Sequence, residues 1–158
     1  HAAYVRMRLE KQEPGGGATA AQDVALRDWD ALPEDFQESN RQQADHVFIK
    51  LRALGYDVAP NSDPRPAVTE FTPAEAELLA EMEHRRWVAE RQIAGWTYAP
   101  QKNVERRENP NFVAWDKLTD GVKEYDRTTV RLIPALLVGA GRKIVRQAAA
   151  KAAENKGS

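Results

Sequence analysis

Two segments of the chain carry mainly apolar side chains at helical spacing, with the same order of steps. In each segment the steps are four, four, three, four and three residues, which places the side chains on one face of a helix. We therefore predict one amphipathic helix in each segment, with a kink or a loosened turn at Pro134 in the second. The first stripe is Phe36, Asn40, Ala44, Val47, Leu51 and Leu54; the second is Val122, Asp126, Val130, Ile133, Leu137 and Ala140.

The two helical segments belong to a longer internal repeat. When residues 29–58 are shifted by 86 positions onto residues 115–144, seven of the thirty positions are identical, against roughly two expected by chance. Asn40 and Asp126, the polar members of the two stripes, are a conservative pair in this alignment. The identical pairs include Trp29 and Trp115, Leu51 and Leu137, and Gly55 and Gly141.

A third helix is predicted in front of the second repeat segment. Thr72 is a good N-cap, Pro73 suits the first helical position, and Glu75 completes a capping box. The helix should run to about Ile93 and stop at Gly95. Short strands are predicted after each repeat helix, at residues 56–58 and 143–145.

The fold class that follows is mostly α, with two helical repeat units and minor short β-strands. Upstream of the repeat, an offset of 83 places His1 on His84, so we expect the first unit to begin inside its opening helix. The predicted organisation is a first unit at residues 1–58, a linker at 59–72, a second unit at 73–147 and a tail at 148–158.

Composition and motifs narrow the classes of function. The net charge is −1 and the chain has no cysteine, so we expect neither a nucleic-acid partner nor a disulfide framework, and we expect a cytoplasmic location. No apolar run is long enough to insert into a membrane. His1, His46 and His84 have no metal-ligand spacing, and no serine lies in a nucleophile motif, so we expect no enzyme, metal or cofactor. Glu81 and Glu83 are interpreted as a solvated helix face.

Four segments, taken in order, resemble the RyR domain first described in ryanodine receptors. They are the helix Leu79–Trp87, the turn Gly95–Pro100, the Trp-Asp-x-Leu motif at residues 115–118 and the Lys-Glu-Tyr-Asp-Arg run at residues 123–127. Ala99 departs from the family pattern, which has glycine before the proline of the turn.

The resemblance implies a helical domain with two units packed about a pseudo-twofold axis. In animal channels such repeats are cytoplasmic and non-catalytic; in bacteria, similar domains are attached to Rossmann-like nucleotide-binding domains. The implied role for a domain of this bacterial type is regulatory sensing of a small, nucleotide-related ligand, within a larger protein that is Rossmann-like or channel-associated.

The candidate site residues each have a structural and a functional interpretation. Asp126, in an apolar stripe, needs a partner such as His84 or Arg41, because a lone buried carboxylate is costly. Asn40 and Asp126 then form either a buried polar layer or a ligand-facing pair. Arg41 and Arg127 either bond acidic groups and helix ends or face one anionic ligand. The aromatic candidates, either core anchors or the lining of a pocket for a nucleobase, are Trp87, Trp96, Tyr98 and Trp115.

Two functions remain open at this point. The first is a ligand-sensing regulatory module with its cleft where the two units meet. The second is a protein-interaction or oligomerisation module without a small ligand. An open, aromatic-lined pocket would favour the first, and a flat, exposed apolar face would favour the second.

Overall fold

The computed structural model describes residues 27–148, and this part of the chain is mostly helical, as predicted. The opening of the first unit and the tail beyond residue 148 lie outside the described residues. In chain order the described elements are a 3₁₀-helix at Trp29–Ala31, α1 at Glu34–Ala53, β1 at Tyr56–Pro60, α2 at Pro73–Ile93, β2 at Thr97–Tyr98, β3 at Glu108–Asn109, a second 3₁₀-helix at Trp115–Lys117, α3 at Asp120–Arg131, α4 at Ile133–Gly139 and β4 at Arg142–Arg146.

The start of α2 confirms the predicted capping box. The Thr72 side chain accepts a hydrogen bond from the Glu75 backbone N–H, and the Glu75 carboxylate accepts one from the Thr72 N–H at 2.8 Å. These reciprocal bonds satisfy two N–H groups that the first turn of a helix leaves without partners. Glu75 also accepts a hydrogen bond from the buried Tyr56 hydroxyl, so the same carboxylate ties the helix start to β1.

Glycine ends three of the described helices in the same way. Gly55, Gly95 and Gly141 follow α1, α2 and α4 with φ angles of 72°, 80° and 74°. This left-handed conformation carries no Cβ penalty in glycine, so the chain can leave the helix sharply.

At Pro134 the sequence predicted a kink or a loosened turn, and the structure goes further: the repeat helix is divided there into α3 and α4. Leu132 stands between the two helices, and Pro134 lies in the first turn of α4. Proline has no N–H to donate to the preceding turn and its ring crowds that turn, so a continuous helix is interrupted there.

Strands β1 and β4 form a two-stranded antiparallel sheet in which Val58 lies opposite Ile144. These two residues are also aligned by the 86-residue offset of the repeat. Ala59 and Pro60 complete β1, so the strand extends two residues into the segment predicted as linker. Val68 then donates its N–H to the Ile144 carbonyl at 2.8 Å, which holds the end of that segment against β4.

The loop after α2 is tied back to the helix. Thr97 of β2 pairs in parallel with Glu108 of β3, and Arg107 donates a hydrogen bond to the Ala94 carbonyl at 2.6 Å. Arg107 has a φ of 55° and is the one non-glycine residue with positive φ in the described part of the chain. The Ala99 turn is therefore made without the backbone conformation for which glycine is needed.

One core joins the two repeat segments to α2. Most of the apolar members of both stripes pack in or against it, whereas Ala44 and Ala140 are exposed. The buried residues of this core are Leu51, Tyr56, Leu79, Ala80, Trp115, Leu118, Val130, Ile133 and Ile144.

Candidate functional site

A cleft of about 460 Å³ opens between α1, α2 and α3. Its two walls come from positions that the 86-residue offset aligns, and its floor comes from α2. The paired wall residues are Phe36 and Val122, Ser39 and Tyr125, Asn40 and Asp126, and Gln43 and Thr129. The floor residues are Glu83, His84, Arg86 and Trp87, and the outer rim carries Lys102 and Asn111.

Asp126 lies against His84 in this cleft. Its carboxyl oxygen is 4.0 Å from His84 Nδ1, and its side chain keeps 23% of its surface exposed. The other imidazole nitrogen, Nε2, lies 2.8 Å from the Val113 carbonyl and must donate to it, since a carbonyl only accepts. In the neutral ring this leaves Nδ1 as an acceptor facing Asp126. Burial, and then the negative charge of Glu83, raise the pKa of Asp126 to about 7.

Glu83 is the centre of a buried ionic network that the sequence analysis missed. Its carboxylate accepts hydrogen bonds from Lys50 at 2.6 Å, Gln43 at 2.9 Å and Arg86 at 2.8 Å. Burial raises the pKa of Glu83, but the bonds from Arg86 and the charge of Lys50 outweigh this and hold it below its ordinary value. Arg86 also donates to Glu90 at 2.6 Å.

The interpretation of Glu83 as part of a solvated helix face is wrong, because only 2% of the residue is exposed. Glu81 is partly exposed and pairs with the exposed Arg85. The spacing along α2 indicates the burial of Glu83. It follows the buried Ala76, Leu79 and Ala80 by seven, four and three residues, so it lies on the same face of the helix. For its partner Lys50 the repeat gives no such indication, because the aligned residue, Leu136, is about half exposed.

The aromatic candidates do not all reach the cleft. Trp87 lines it, stacks on His84 and packs edge-on against Phe112. Trp115 is a core residue whose indole N–H donates to Glu77 at 2.9 Å.

Trp96 and Tyr98 lie outside the cleft. Arg91 covers the ring of Trp96, and Tyr98 is 57% exposed in β2. Of the four candidate aromatics, only Trp87 can act as a wall of the cleft, and it is joined there by Phe36 from α1.

Of the two interpretations of the arginines, the contacts favour the structural one, in which both bond acidic groups of the protein. Arg127 forms a bidentate pair with Glu77, at 2.6 and 3.1 Å. Arg41 is exposed, pairs with Glu38 at 3.3 Å and lies over the Trp29 ring. Both guanidinium groups are engaged with groups on the protein, away from the cleft lining.

An apolar groove of about 280 Å³ adjoins the cleft and shares Asn40, Gln43, Glu83 and Thr129 with it. Its rim exposes the large apolar side chains Phe48 and Leu136, each about half accessible. The remaining apolar lining is Ala44, Val47, Val130, Ile133 and Leu137.

Within residues 27–148 no group of three or more histidine or acidic side chains is placed to hold a metal ion. None of the described helices has the length and apolar character needed to cross a membrane.

A comparison with protein families places the chain. A family model described as the RyR domain matches residues 67–146, which are 80 of the 158 residues. The match covers α2, the loop after it, the second 3₁₀-helix, α3, α4 and β4. It thus includes the segments on which the sequence resemblance rested and the floor and one wall of the cleft. The chain belongs to the RyR domain family.

Proposed function

We propose that the chain is a non-catalytic, ligand-sensing regulatory domain of a larger cytoplasmic protein, and that the cleft between α1, α2 and α3 is its binding site. The observation that carries this proposal is the carboxyl of Asp126, which has no hydrogen-bond partner among residues 27–148 and lies in an open cleft with an aromatic wall. Ionisable groups with strongly shifted pKa values concentrate at functional sites. The cleft volume of about 460 Å³ falls within the usual size of small-molecule sites.

We propose a nucleotide-related small molecule as the ligand, with its base in the cleft. Trp87 and Phe36 offer ring faces for stacking, and Asn40 and Asp126 offer hydrogen-bonding groups beside them. Because Arg41 and Arg127 are engaged elsewhere, a phosphate would lie toward Lys102 on the rim. Of the residues selected from sequence, this site keeps Asn40, His84, Trp87 and Asp126.

The test is a screen of nucleosides, nucleotides and cyclic nucleotides against the full chain by thermal shift, followed by NMR of the indole N–H signals. Ligand binding to the folded state raises the apparent melting temperature by mass action. A binder should shift the Trp87 signal and lose affinity in Trp87→Ala, whereas Trp96→Ala should bind as the wild type does. Circular dichroism of both variants checks the fold. If binding is unchanged by Trp87→Ala, the ligand lies elsewhere and the proposed site fails.

We also propose that the two repeat units are related by a pseudo-twofold axis. In the register of β1 and β4, Val58 faces its own repeat equivalent, Ile144, as a twofold axis between the strands requires. Two hydrogen bonds flank this pair symmetrically: Asn61 N–H to the Gly141 carbonyl at 3.1 Å, and Gln147 N–H to the Gly55 carbonyl at 2.9 Å. The four residues of these bonds form two pairs related by the 86-residue offset.

A second candidate function, a protein-interaction or oligomerisation module, is favoured by the apolar groove. Phe48 and Leu136 expose apolar surface of the kind that marks interaction sites. If this function is the correct one, the chain should self-associate in a concentration-dependent manner that Phe48→Asp abolishes. Sedimentation equilibrium measures it, and a monomer at all concentrations would remove the self-association form of this candidate.

The kind of parent protein that contains the domain is also a proposal. The family resemblance supports a bacterial-type parent protein in which the domain is joined to a Rossmann-like or channel-associated part. We propose no nucleic-acid partner and no cofactor for it.

A further inference from the structure

We infer that the inner end of the cleft recognises a planar group with two adjacent N–H donors, and that Asp126 accepts both of them. Amidinium and guanidinium ions carry such a donor pair, and so does the guanine edge, which joins this inference to a nucleotide-related ligand. The inference rests on the proposed function, because it assigns ligand chemistry to the same cleft.

Four polar residues of the cleft walls each use one donor within the protein, and the amide nitrogens of Asn40 and Gln43 each keep a second N–H. The Asn40 amide donates to the Phe36 carbonyl at 2.7 Å, and the Gln43 amide donates to Glu83 at 2.9 Å. The Ser39 hydroxyl donates to Glu90 at 2.8 Å, and the Thr129 hydroxyl donates to the Tyr125 carbonyl at 2.9 Å. A hydroxyl has one proton, so both hydroxyl groups can offer a ligand only lone pairs.

The same hydrogen bonds fix which way the side-chain amides of Asn40 and Gln43 are oriented. A carbonyl or carboxylate oxygen only accepts, so the nitrogens of Asn40 and Gln43 must face Phe36 and Glu83. Their amide oxygens remain as acceptors. In its neutral form, His84 adds a further acceptor at Nδ1, because its Nε2–H is used by the Val113 carbonyl. The walls and floor therefore offer several acceptors beside Asp126, and a ligand that supplies donors can use them.

Asp126 is the strongest acceptor in this set. No donor of the described chain lies within hydrogen-bonding distance of its carboxyl oxygens; His84 Nδ1 is at 4.0 Å. Glu83, by contrast, already accepts from Lys50, Gln43 and Arg86. An ionised carboxylate has two oxygens in one plane, which matches two parallel N–H donors.

Recognition of such a donor pair is coupled to loss of a proton from Asp126. The free carboxyl has its pKa raised to about 7, first by burial and then by Glu83. A donor pair requires the ionised form, so affinity for it should rise with pH up to about 7 and then level off. The charged and titratable groups around Asp126 are Lys50 on α1, Glu83, His84 and Arg86 on α2, Tyr125 on α3, and Lys102 on the rim.

Two series of probes test the donor pair in the full chain by NMR titration and calorimetry. The first is benzamidine, benzamide and benzoate, which have nearly the same shape and offer a charged donor pair, one donor side, and acceptors only. The second is guanosine, inosine and adenosine, of which only guanosine has two adjacent donors on its base-pairing edge. In each series the donor-pair probe should bind about 10- to 100-fold more tightly than the others, the factor for a hydrogen bond to a charged group.

Matched variants locate the effect. Asp126→Asn should weaken benzamidine binding about 10- to 100-fold, move the preference toward benzamide and remove the rise in affinity between pH 5 and pH 7. Asp116→Asn, which alters an exposed aspartate outside the cleft lining, should leave all three unchanged. The pH profile of wild-type binding keeps the test valid if Asp126→Asn does not fold.

The possible failures are distinguishable. If benzoate or adenosine binds in the cleft as tightly as the donor-pair probes, the inference is overturned while the cleft remains a ligand site. If benzamidine affinity is the same at pH 5 and pH 7, Asp126 is not its acceptor. If no probe of either series and no compound of the nucleotide screen shifts the signals of cleft residues, the proposed function fails together with the inference.

Discussion

Glu83 links α1 to α2 through charges that are removed from water. Its side chain and that of Lys50 are almost completely buried, with 3% and 1% of their surfaces exposed. Such a pair contributes little net stability relative to apolar residues, but removing one member leaves the other charged and without compensation. Without the Glu83 carboxylate, the buried ammonium group of Lys50 would lose its compensating charge.

Glu83→Gln should therefore destabilise the protein by roughly 3–5 kcal/mol, the usual cost of breaking a buried ion pair. Glu81→Gln is the matched control on the same helix, two residues away. Its pair with the exposed Arg85 should be worth less than about 0.5 kcal/mol. Urea unfolding of both variants measures the difference, and equal losses would mean that the Lys50–Glu83 pair is not stabilising the helix contact.

Asp126 makes the stability of the domain depend on pH. Its pKa is about 7 in the folded state and near 4 in the unfolded chain, so the folded state binds more protons between these values. Its contribution is complete below about pH 4 and is lost as the pH rises through 7.

Between pH 5 and pH 8 the wild type should thus lose roughly 2–3 kcal/mol more stability than Asp126→Asn, at about 1.4 kcal/mol per pKa unit. Asp116→Asn, which alters an exposed carboxylate, should follow the wild type. Urea unfolding at a series of pH values gives the comparison. A wild type and an Asp126→Asn protein with parallel pH profiles would show that the carboxyl is ionised throughout.

The sequence allowed part of this site to be predicted at the scale of single residues. A carboxylate in an apolar stripe indicated that Asp126 is largely buried and needs a partner, for which His84 and Arg41 were the candidates. The charge state could not be predicted, because it depends on Glu83 being buried nearby, which follows from packing between α1 and α2. The direction of Arg127 depended similarly on Glu77, fifty residues earlier in the chain.

At the scale of elements, glycine and proline positions decided where helices end. The capping box at Thr72 and the stop at Gly95 predicted the bounds of α2, and Pro134 predicted a kink or loosened turn where α3 and α4 are separated. These signals are local, since each depends on backbone geometry within one or two turns. The exact length of β1 could not be predicted from local signals. It is set by pairing with β4, in which Val58 lies opposite Ile144, 86 residues later in the chain.

Two glycine substitutions should have opposite effects on stability for this reason. Gly141→Ala forces a side chain into the left-handed region, at φ 74°, and should destabilise by about 1–2 kcal/mol. Gly121→Ala, within α3 and with open space around its Cα, should stabilise by up to about 1 kcal/mol. Thermal unfolding of the two variants checks the signs. A neutral Gly141→Ala would mean that the turn before β4 adapts without strain.

At the scale of the whole molecule, the first repeat segment supplies parts that the second needs. The RyR domain match covers residues 67–146, yet β4 pairs with β1, outside the match. Leu51 and Tyr56, each 1% exposed, belong to the same core as Leu79 and Ile144. The stability of the second unit is therefore not contained in the matched segment alone.

We accordingly expect a fragment of residues 67–148 to be unfolded or only partly folded. It lacks the strand that pairs with β4, two large members of the core, and the Lys50 and Gln43 side chains that neutralise and bond Glu83. The loss of Lys50 alone should cost roughly 3–5 kcal/mol, a large fraction of the stability of a small domain. Far-ultraviolet circular dichroism and amide NMR dispersion of the fragment, beside those of the full chain, provide the measurement.

A fragment that unfolds cooperatively in urea with the stability of the full chain would show that the second unit folds independently. The structural dependence of the second unit on the first, and with it the two-walled cleft as one cooperative site, would then have to be abandoned.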